Sequence, residues 1–582
     1  MSDKLISLYR ARLARERGGV RKDWGGRISV ALVYPNHYRI GMSNLGFQIV
    51  YELLNRKENV VAERIFLPED QEMSLHPKAG KDLLSLESQV PLRKFDLVAF
   101  SVSFENDYPH ILKILQLGEI PLLSKERNHF HPVVMAGGVT AFMNPEPLAD
   151  FFDLFLLGEA EACLDSFISL FADIYPSSEN RQDLLSELAQ NMDSLYVPSL
   201  YHVEYRPDGT IQFMDPIESR IPKTVKVARH YSEEAPIATS TIVTPDTEFN
   251  DKILVELGRG CGHGCRFCAA GYVYRPPRIG DKSQLLSCIQ RVTEEHDRLG
   301  LISACVSDTP GIEEITRLIT RKGGSFSVSS LRADRLTEGL LDNLKHAGQK
   351  SLAIAPEAGS ERLRRVVNKH LTRDQIIGAV RLIGRKGEFN IRLYFLIGLP
   401  TETHDDVTEI VKLVKNIKHH LIKESRSRGK IGQIKLSVNC FIPKPFTPFQ
   451  WFPMEEVAAL KEKQKSLRKA LAKEGGVTAS FDVPKWAYLQ TLFSMGDRRV
   501  GSILLLSHQL DGDWTRTFRS SELNPDFFVY RPKAFDEILP WDFMDHGILK
   551  EYLIKEYNLA LEEQESEVCR VGACTRCGVC SF

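Results

Sequence analysis

Short unbroken apolar runs alternate with segments of helical spacing through the first third of the chain. Between residues 27 and 172 the runs ISVALVY, NVVAERIF, DLVAFSV, PVVMAGG and LFLLG show no polar face, the mark of strands covered on both sides. LGFQIVYELLNR, YPHILKILQ and EAEACLDSFISLF carry the helical period between them. Such alternation predicts a Rossmann-like parallel sheet, with ligands beyond the carboxyl ends of its strands. Residues 173–248 break the rhythm and read as a connector bearing a hairpin around Pro207-Asp208-Gly209. The alternation resumes over residues 249–455, where KILVEL, LISACVS, SFSVSS, KSLAIA, NIRLYFLIG and IKLSVNCF are six strand candidates. Helical segments such as SQLLSCIQRVTEEHDRL, TEGLLDNLKHA and HDDVTEIVKLVKNI separate them, which predicts a partial (βα)6 barrel of the TIM type. Residues 456–565 form a helical and mixed extension, and 566–582 a cysteine-rich tail. The fold class is α/β.

Composition narrows the function classes. The 582 residues are 43% apolar and 26% charged, with 75 basic against 76 acidic side chains, so no bulk charge draws the chain to nucleic acid or membrane. A basic arm, residues 1–26, reads as a solvated amphipathic helix. The N-terminus lacks an apolar secretory stretch, and a cytoplasmic location is expected. The longest apolar region is interrupted by Asp153, Glu159, Glu161 and Asp165, which excludes it as a membrane span.

Seven of the eleven cysteines fall into two tight groups. The other four, Cys163, Cys288, Cys305 and Cys440, lie singly in apolar segments and read as small core residues. In GRGCGHGCRFCAAG, Cys261, Cys265 and Cys268 offer three thiolates, one fewer than a closed zinc site or a fully ligated four-iron cluster needs. Three ligands on one loop point to a cluster with one iron open. The glycines let the backbone wrap anionic sulfides. The alternative is a zinc loop completed by a residue such as His263. In the tail, Cys569, Cys574, Cys577 and Cys580 supply four thiolates for a closed site, either an auxiliary iron–sulfur cluster or zinc, with a redox thiol tail as a third alternative.

The CxxxCxxC loop after the first barrel strand, with Phe267 before its third cysteine, resembles the radical S-adenosylmethionine superfamily over about Asp251 to Pro448. The resemblance implies a [4Fe-4S] cluster on Cys261, Cys265 and Cys268. It further implies S-adenosylmethionine on the open iron, cleavage to a 5′-deoxyadenosyl radical, and a reducing donor such as flavodoxin or ferredoxin. It places Phe267 against the adenine, Asp308 of ACVSDTP where relatives grip the amino group, and Glu357 of PEAGSE at the methionyl or ribose part. Arg392 joins these as a cofactor contact, the alternative for Glu357 and Arg392 being an ion pair across the barrel. YFLIGLPTET resembles the fifth-strand Gly-Leu-Pro-Gly-Glu-Thr turn, with Thr401 for the second glycine. The first domain resembles the cobalamin-binding domains that precede such barrels, through Gly137-Gly138 and the Gly-Glu-Ala-Glu run from Gly158 to Glu161. Where those domains read Asp-x-His-x-x-Gly, this chain has Tyr38 in the histidine position and ends the motif at Gly41, with His37 one place early. Two alternatives stay open: cobalamin bound without a lower histidine, or a domain that shapes the barrel mouth.

The whole chain resembles an uncharacterised bacterial family of this two-domain design. The expected activity is functionalisation of an unactivated C–H bond, with methyl transfer favoured if cobalamin binds. A non-catalytic electron-transfer or cluster-assembly protein is one alternative. An RNA-modifying enzyme using the basic arm is another, against which the neutral charge argues. No spacing rule assigns a catalytic residue or substrate; Arg332, Asp334, Lys444 and Trp451 are candidates for the pocket wall.

Overall fold

The computed structural model describes residues 3–75, 83–231, 237–329, 331–426 and 431–580. Five strands, β1 (Ile28–Tyr34), β2 (Val60–Phe66), β3 (Leu97–Ser101), β4 (Val133–Gly137) and β5 (Leu154–Leu156), pair in parallel in the order β2-β1-β3-β4-β5. β6 (Leu195–Tyr196) adds an antiparallel edge. Nearly every strand residue is buried because helices cover both faces, as the unbroken apolar runs require. Asn44 opens the helix Leu45–Arg56 by accepting from the Phe47 N–H, which brings its apolar side onto the sheet. β7 (Tyr201–Tyr205) and β8 (Ile211–Pro216) form the expected hairpin, followed by β9 (Val225–Lys226).

The barrel begins with β10 (Ile253–Arg259), to which β11 (Arg278–Ile279) pairs antiparallel. β12 (Arg298–Ser303) and β13 (Ser325–Val328) continue it in parallel. A second parallel sheet holds β14 (Ser351–Glu357), β15 (Asn390–Ile397), β16 (Ile434–Cys440) and β17 (Val477–Phe481). The Leu331 N–H donates to Ala353 O and joins the halves into one open barrel. β17, from the mixed extension, lengthens the arc beyond the six expected strands. LISACVS is a strand only to Ser303, and Val306–Asp308 is a 3-10 turn. The preceding helix stops at Glu295, and Arg298 opens the strand. The apolar run therefore outlasts the strand, and its tail turns across the barrel mouth.

Leu45 and Ile49, on a helix of the first domain, pack on Leu254 of β10, so the Rossmann-like sheet is seated on the first half of the barrel. The C-terminal extension closes around buried Trp451 and Trp541, and β18 (Met544–Asp545) pairs with β9. No helix among the described residues is long and apolar enough to cross a membrane. The helix Asp3–Leu13 is docked rather than solvated: Leu5 and Tyr9 are buried, Arg12 pairs with Glu72, and Arg15 pairs with Asp246.

Candidate functional site

The three-cysteine loop leaves the end of β10. Gly260 and Gly264 take positive φ values of 81 and 68, and a Cβ on Gly260 would stand 2.7 Å from Tyr274 O. The Cys268 N–H donates to Cys265 O, which folds the last two cysteines into a tight turn. Cys261 accepts from the His263 N–H, and Cys268 from those of Ala270 and Gly271, so backbone dipoles converge on the sulfurs. Burial pushes the free Cys265 thiol up to about 12, with Cys268 and Cys261 adding to the rise and Lys369 opposing it. The three thiols influence one another electrostatically and none is in a disulfide, although their sulfurs do not all lie within 4.8 Å of one another.

Charged groups ring the loop. Lys369 Nζ donates to Glu357 Oε1 at 2.9 Å. Burial works to lower Lys369, but Glu357 and the Cys265 sulfur raise it further. Glu357 sits on a bulge at the end of β14 with φ of 66, a conformation costly for a residue bearing a Cβ. His263 Nε2 lies 2.5 Å from Asp308 Oδ2, and with Cys305 their donor atoms fall within 4.8 Å of one another. Burial tends to raise the Asp308 carboxyl, but the His263 and Cys305 hydrogen bonds outweigh it and hold it below its ordinary range. Arg332 pairs with Asp334 at 3.0 Å and feels the Cys265 sulfur. Phe267 is part-buried against an apolar cluster that includes Leu363, Val366 and Leu399.

Several candidates lie elsewhere. Arg392 is exposed and stands opposite Ala353 in the β14–β15 register, four residues or about 13 Å below Glu357, so the two form no ion pair. Trp451 is a core residue packed on Phe535 rather than a pocket wall. Lys444 is spent on Glu105 of the first domain.

The tail folds onto this loop. The Cys569 N–H donates to Gly262 O at 2.9 Å, and Leu549 N–H to Cys577 O at 3.0 Å. Arg275 hydrogen-bonds the Cys577 sulfur, and Arg576 Nε reaches Cys574 Sγ at 3.4 Å and holds that thiol below its ordinary range. Burial raises Cys569, Arg275 opposes the rise, and Cys574, Cys577 and Cys580 add to it, although no three of these sulfurs lie within 4.8 Å of one another.

A cavity of about 490 Å³ separates the sheet from the barrel. Gly137 and Gly138 floor it from the end of β4, and Gly258 and Tyr274 close it from the barrel. Gly138 has φ of 99, and a Cβ there would meet Val102 O at 2.5 Å. Among the described residues, no histidine lines the cavity. Tyr38 and Gly41 are not among its walls either. Tyr38 is buried with its hydroxyl on Glu16 at 2.5 Å, and Gly41 packs on Phe66. Glu159 and Glu161, the acids of the Gly-Glu-Ala-Glu run, clamp the barrel by pairing with Arg278 and Arg259.

Sequence reasoning assigned no role to Asn368, Lys369, Arg266 and Arg275. Arg266 is fully buried and ties the loop to Glu556 and to Val366 O and Gln564 O. The visible signal was the Asn-Lys pair after PEAGSE, which takes positive φ at Asn368.

The family model described as "Radical SAM superfamily" matches residues 255–414, and "Radical SAM proteins, N-terminal" matches 46–198. An uncharacterised protein of Methanocaldococcus jannaschii is 29% identical over 532 residues, 90% of this chain and 99% of its own length. An anaerobic magnesium-protoporphyrin IX monomethyl ester cyclase of Rubrivivax gelatinosus is 26% identical over 31% of this chain and 36% of its own. Among solved structures, the cobalamin-dependent S-adenosylmethionine radical enzyme OxsB, with aqua-cobalamin and S-adenosylmethionine bound, aligns over 92% of this chain and 79% of its own at 13% identity and a TM-score of 0.44. The radical S-adenosylmethionine methyltransferase TsrM of Kitasatospora setae, with cobalamin and a [4Fe-4S] cluster bound, aligns over 71% and 75% at 14% identity and a TM-score of 0.41.

Proposed function

We propose that this chain, which belongs to the radical SAM superfamily, is an enzyme that cleaves S-adenosylmethionine reductively and functionalises an unactivated C–H bond of its substrate. The observation that carries the reading is the loop itself: three convergent thiols, none in a disulfide, with backbone N–H groups aimed at two of them. That donor set fits a cluster held by three cysteines with one iron free for the cofactor. When bound, the cluster supplies the electron that breaks the sulfonium bond, and cobalamin supplies a methyl carrier.

The protein's own part is to bind, orient and shield. Cys261, Cys265 and Cys268 would hold the cluster, and the positive charges of Lys369 and Arg332, which act on the Cys265 sulfur, would offset its negative charge. Asp308 is steadied by His263 as an acceptor for the amino group of S-adenosylmethionine. Glu357, fixed by Lys369, faces the methionyl or ribose part. The tail cysteines hold a second metal site, an iron–sulfur cluster or zinc, against the loop. A reducing donor is required, and flavodoxin or ferredoxin fits that need.

Cobalamin belongs in the cavity between sheet and barrel, above a side-chain-free floor at Gly137 and Gly138. Among the described residues the lining offers no histidine, and the reading is of cobalamin held without a lower imidazole from them. Methyl transfer is the favoured outcome of that arrangement.

Anaerobic, reduced protein is expected to convert S-adenosylmethionine to 5′-deoxyadenosine, and Cys265→Ala to abolish the product. No product with any of several reductants overturns the reading.

A further inference from the structure

Parallel sheets are normally covered on both faces. The four-stranded sheet β14-β15-β16-β17 departs from that rule. Its outer face is packed: Ile391, Leu393, Phe395, Ile434 and Leu436 are buried under helices. On its inner face Arg392, Lys435 and Asn439 are exposed, and Tyr394, Leu396 and Ser437 between and above them are part-buried. The register sets these positions in rows. Arg392 stands opposite Lys435, and Lys435 opposite Thr478; one step nearer the barrel mouth, Tyr394 stands opposite Ser437, and Ser437 opposite Ser480.

Two cations directly opposite each other repel. Arg392 and Lys435 have no hydrogen-bond or ion-pair partner among the described residues. The strand alternation puts both on the inner face, towards the N-terminal ends of β15 and β16 and below the loops at the barrel mouth. Glu357 closes the same sheet at the upper end of β14, about 13 Å above the Arg392 row, four residues at about 3.3 Å each.

From this juxtaposition we infer that Arg392 and Lys435 form an oxyanion anchor for a small-molecule substrate, whose carboxylate or phosphate is held low in the barrel while its reacting end reaches the three-cysteine loop. The inference deepens the enzymatic reading above and rests on it for the anchor's purpose. The two side chains suit one oxyanion. A nucleic-acid strand, which draws its affinity from many phosphate contacts, needs a longer basic track. The polar rows of Tyr394, Ser437 and Ser480 then line the span between the anchor and the reacting end.

The test is a calorimetric titration of the full chain, purified anaerobically, with neither S-adenosylmethionine nor reductant present. Inorganic phosphate and succinate serve as separate probes and distinguish the two oxyanion sources. At least one is expected to bind saturably, one per chain, in the millimolar range. Arg392→Gln with Lys435→Gln is expected to weaken it at least tenfold without lowering the Tm, since the pair repels itself in the free protein. If that double variant melts early, Lys435→Gln alone, at an exposed site, is read for the same loss in affinity. Adding S-adenosylmethionine is expected to leave the anion affinity unchanged.

Lack of saturation with both probes overturns the inference, as does an unaltered affinity in the variants. Displacement of the anion by S-adenosylmethionine assigns the cations to the cofactor and overturns it too. Binding of a single-stranded RNA that the variants abolish, with no small-anion site, does the same in favour of RNA. Because the titration needs no turnover, its failure is separate from a failure of S-adenosylmethionine cleavage.

Discussion

The backbone N–H of Cys569 donates to the carbonyl oxygen of Gly262 at 2.9 Å, so the two cysteine groups are separated by a single hydrogen bond. Asn368 fixes the same junction from the side. Its Nδ2 donates to Gly264 O at 3.1 Å and to Ser566 Oγ at 3.0 Å, and its Oδ1 accepts from the Ser566 N–H at 2.9 Å. One side chain thus holds both cysteine-bearing segments.

Asn368→Ala removes those bonds inside a buried joint and leaves an alanine at a φ of 56. The expected cost is about 2–3 kcal/mol. In hydrogen exchange, residues 258–271 and 566–580 are expected to lose protection together. Loosening of the tail alone shows that the loop does not depend on this joint.

Thr401 stands where the resembling turn has glycine, and its φ of 64 is a value that glycine adopts without strain. The backbone has kept the turn although the residue has changed. Arg362 Nη2 donates to Thr401 O at 2.8 Å and helps to hold it there. Thr401→Gly relieves the β-branched side chain but adds freedom to the unfolded chain, so a net gain of up to about 1 kcal/mol is expected. A urea midpoint that falls at unchanged m shows that the turn is unstrained.

The central strands of the Rossmann-like sheet and of the barrel were legible because apolar runs leave few alternatives, whereas the edge strands β6, β11 and β17 were not. What was illegible is long-range. Tyr38 occupies a motif position for cobalt, but its hydroxyl is claimed by Glu16, which also pairs with Arg64. The bond between Gly262 and Cys569 joins residues that no spacing rule connects. Register decided the fate of Arg392, since only the pairing with Ala353 shows how far it lies from Glu357. LISACVS misled because an apolar turn and an apolar strand look alike until their hydrogen bonds are known.

Arg64 is fully buried between Glu16 at 2.7 Å and Glu87 at 2.6 Å, and Glu16 comes from the N-terminal segment. Burial alone raises the Glu87 carboxyl, and Arg64 counters only part of that rise. Arg64→Met strands two buried carboxylates, at an expected cost of about 3–5 kcal/mol. Urea denaturation measures it. A loss below about 1 kcal/mol shows that Glu16 swings to solvent and that the N-terminal segment is only loosely docked.

His546 is buried, with Nε2 at 2.6 Å from Phe142 O and its ring 4.1 Å from that of Phe446. Burial, with Arg229 nearby, lowers its pKa from 6.5 to about 3. The folded state therefore holds the neutral imidazole, while the unfolded chain takes up a proton below pH 6.5. Stability is complete above that pH and falls as the pH drops towards 3, by up to about 1.4 kcal/mol per unit. His546→Phe is expected to flatten this dependence between pH 6.5 and 4, measured by urea midpoints. An equally steep fall in the variant assigns the acid sensitivity to another group.

Gly137 offers a direct test of what the cavity holds. It lines the space at the end of β4, has an ordinary negative φ, and a Cβ there would find only Leu156 O, at 3.6 Å. A larger side chain therefore enters the cavity without backbone strain, unlike one at Gly138 or at Gly158, where a Cβ would stand 2.2 Å from Ala228 O. Gly137→Leu is expected to fold with a Tm close to the parent's and to lose hydroxocobalamin uptake, read by absorbance after gel filtration. Cysteine-bound iron is expected to be unchanged, because the loop from Cys261 to Cys268 makes no contact with Gly137. Equal cobalamin uptake by parent and variant removes the ligand from this cavity. No uptake by either leaves the first domain the role of shaping the barrel mouth, through Glu161 on Arg259 and Glu159 on Arg278.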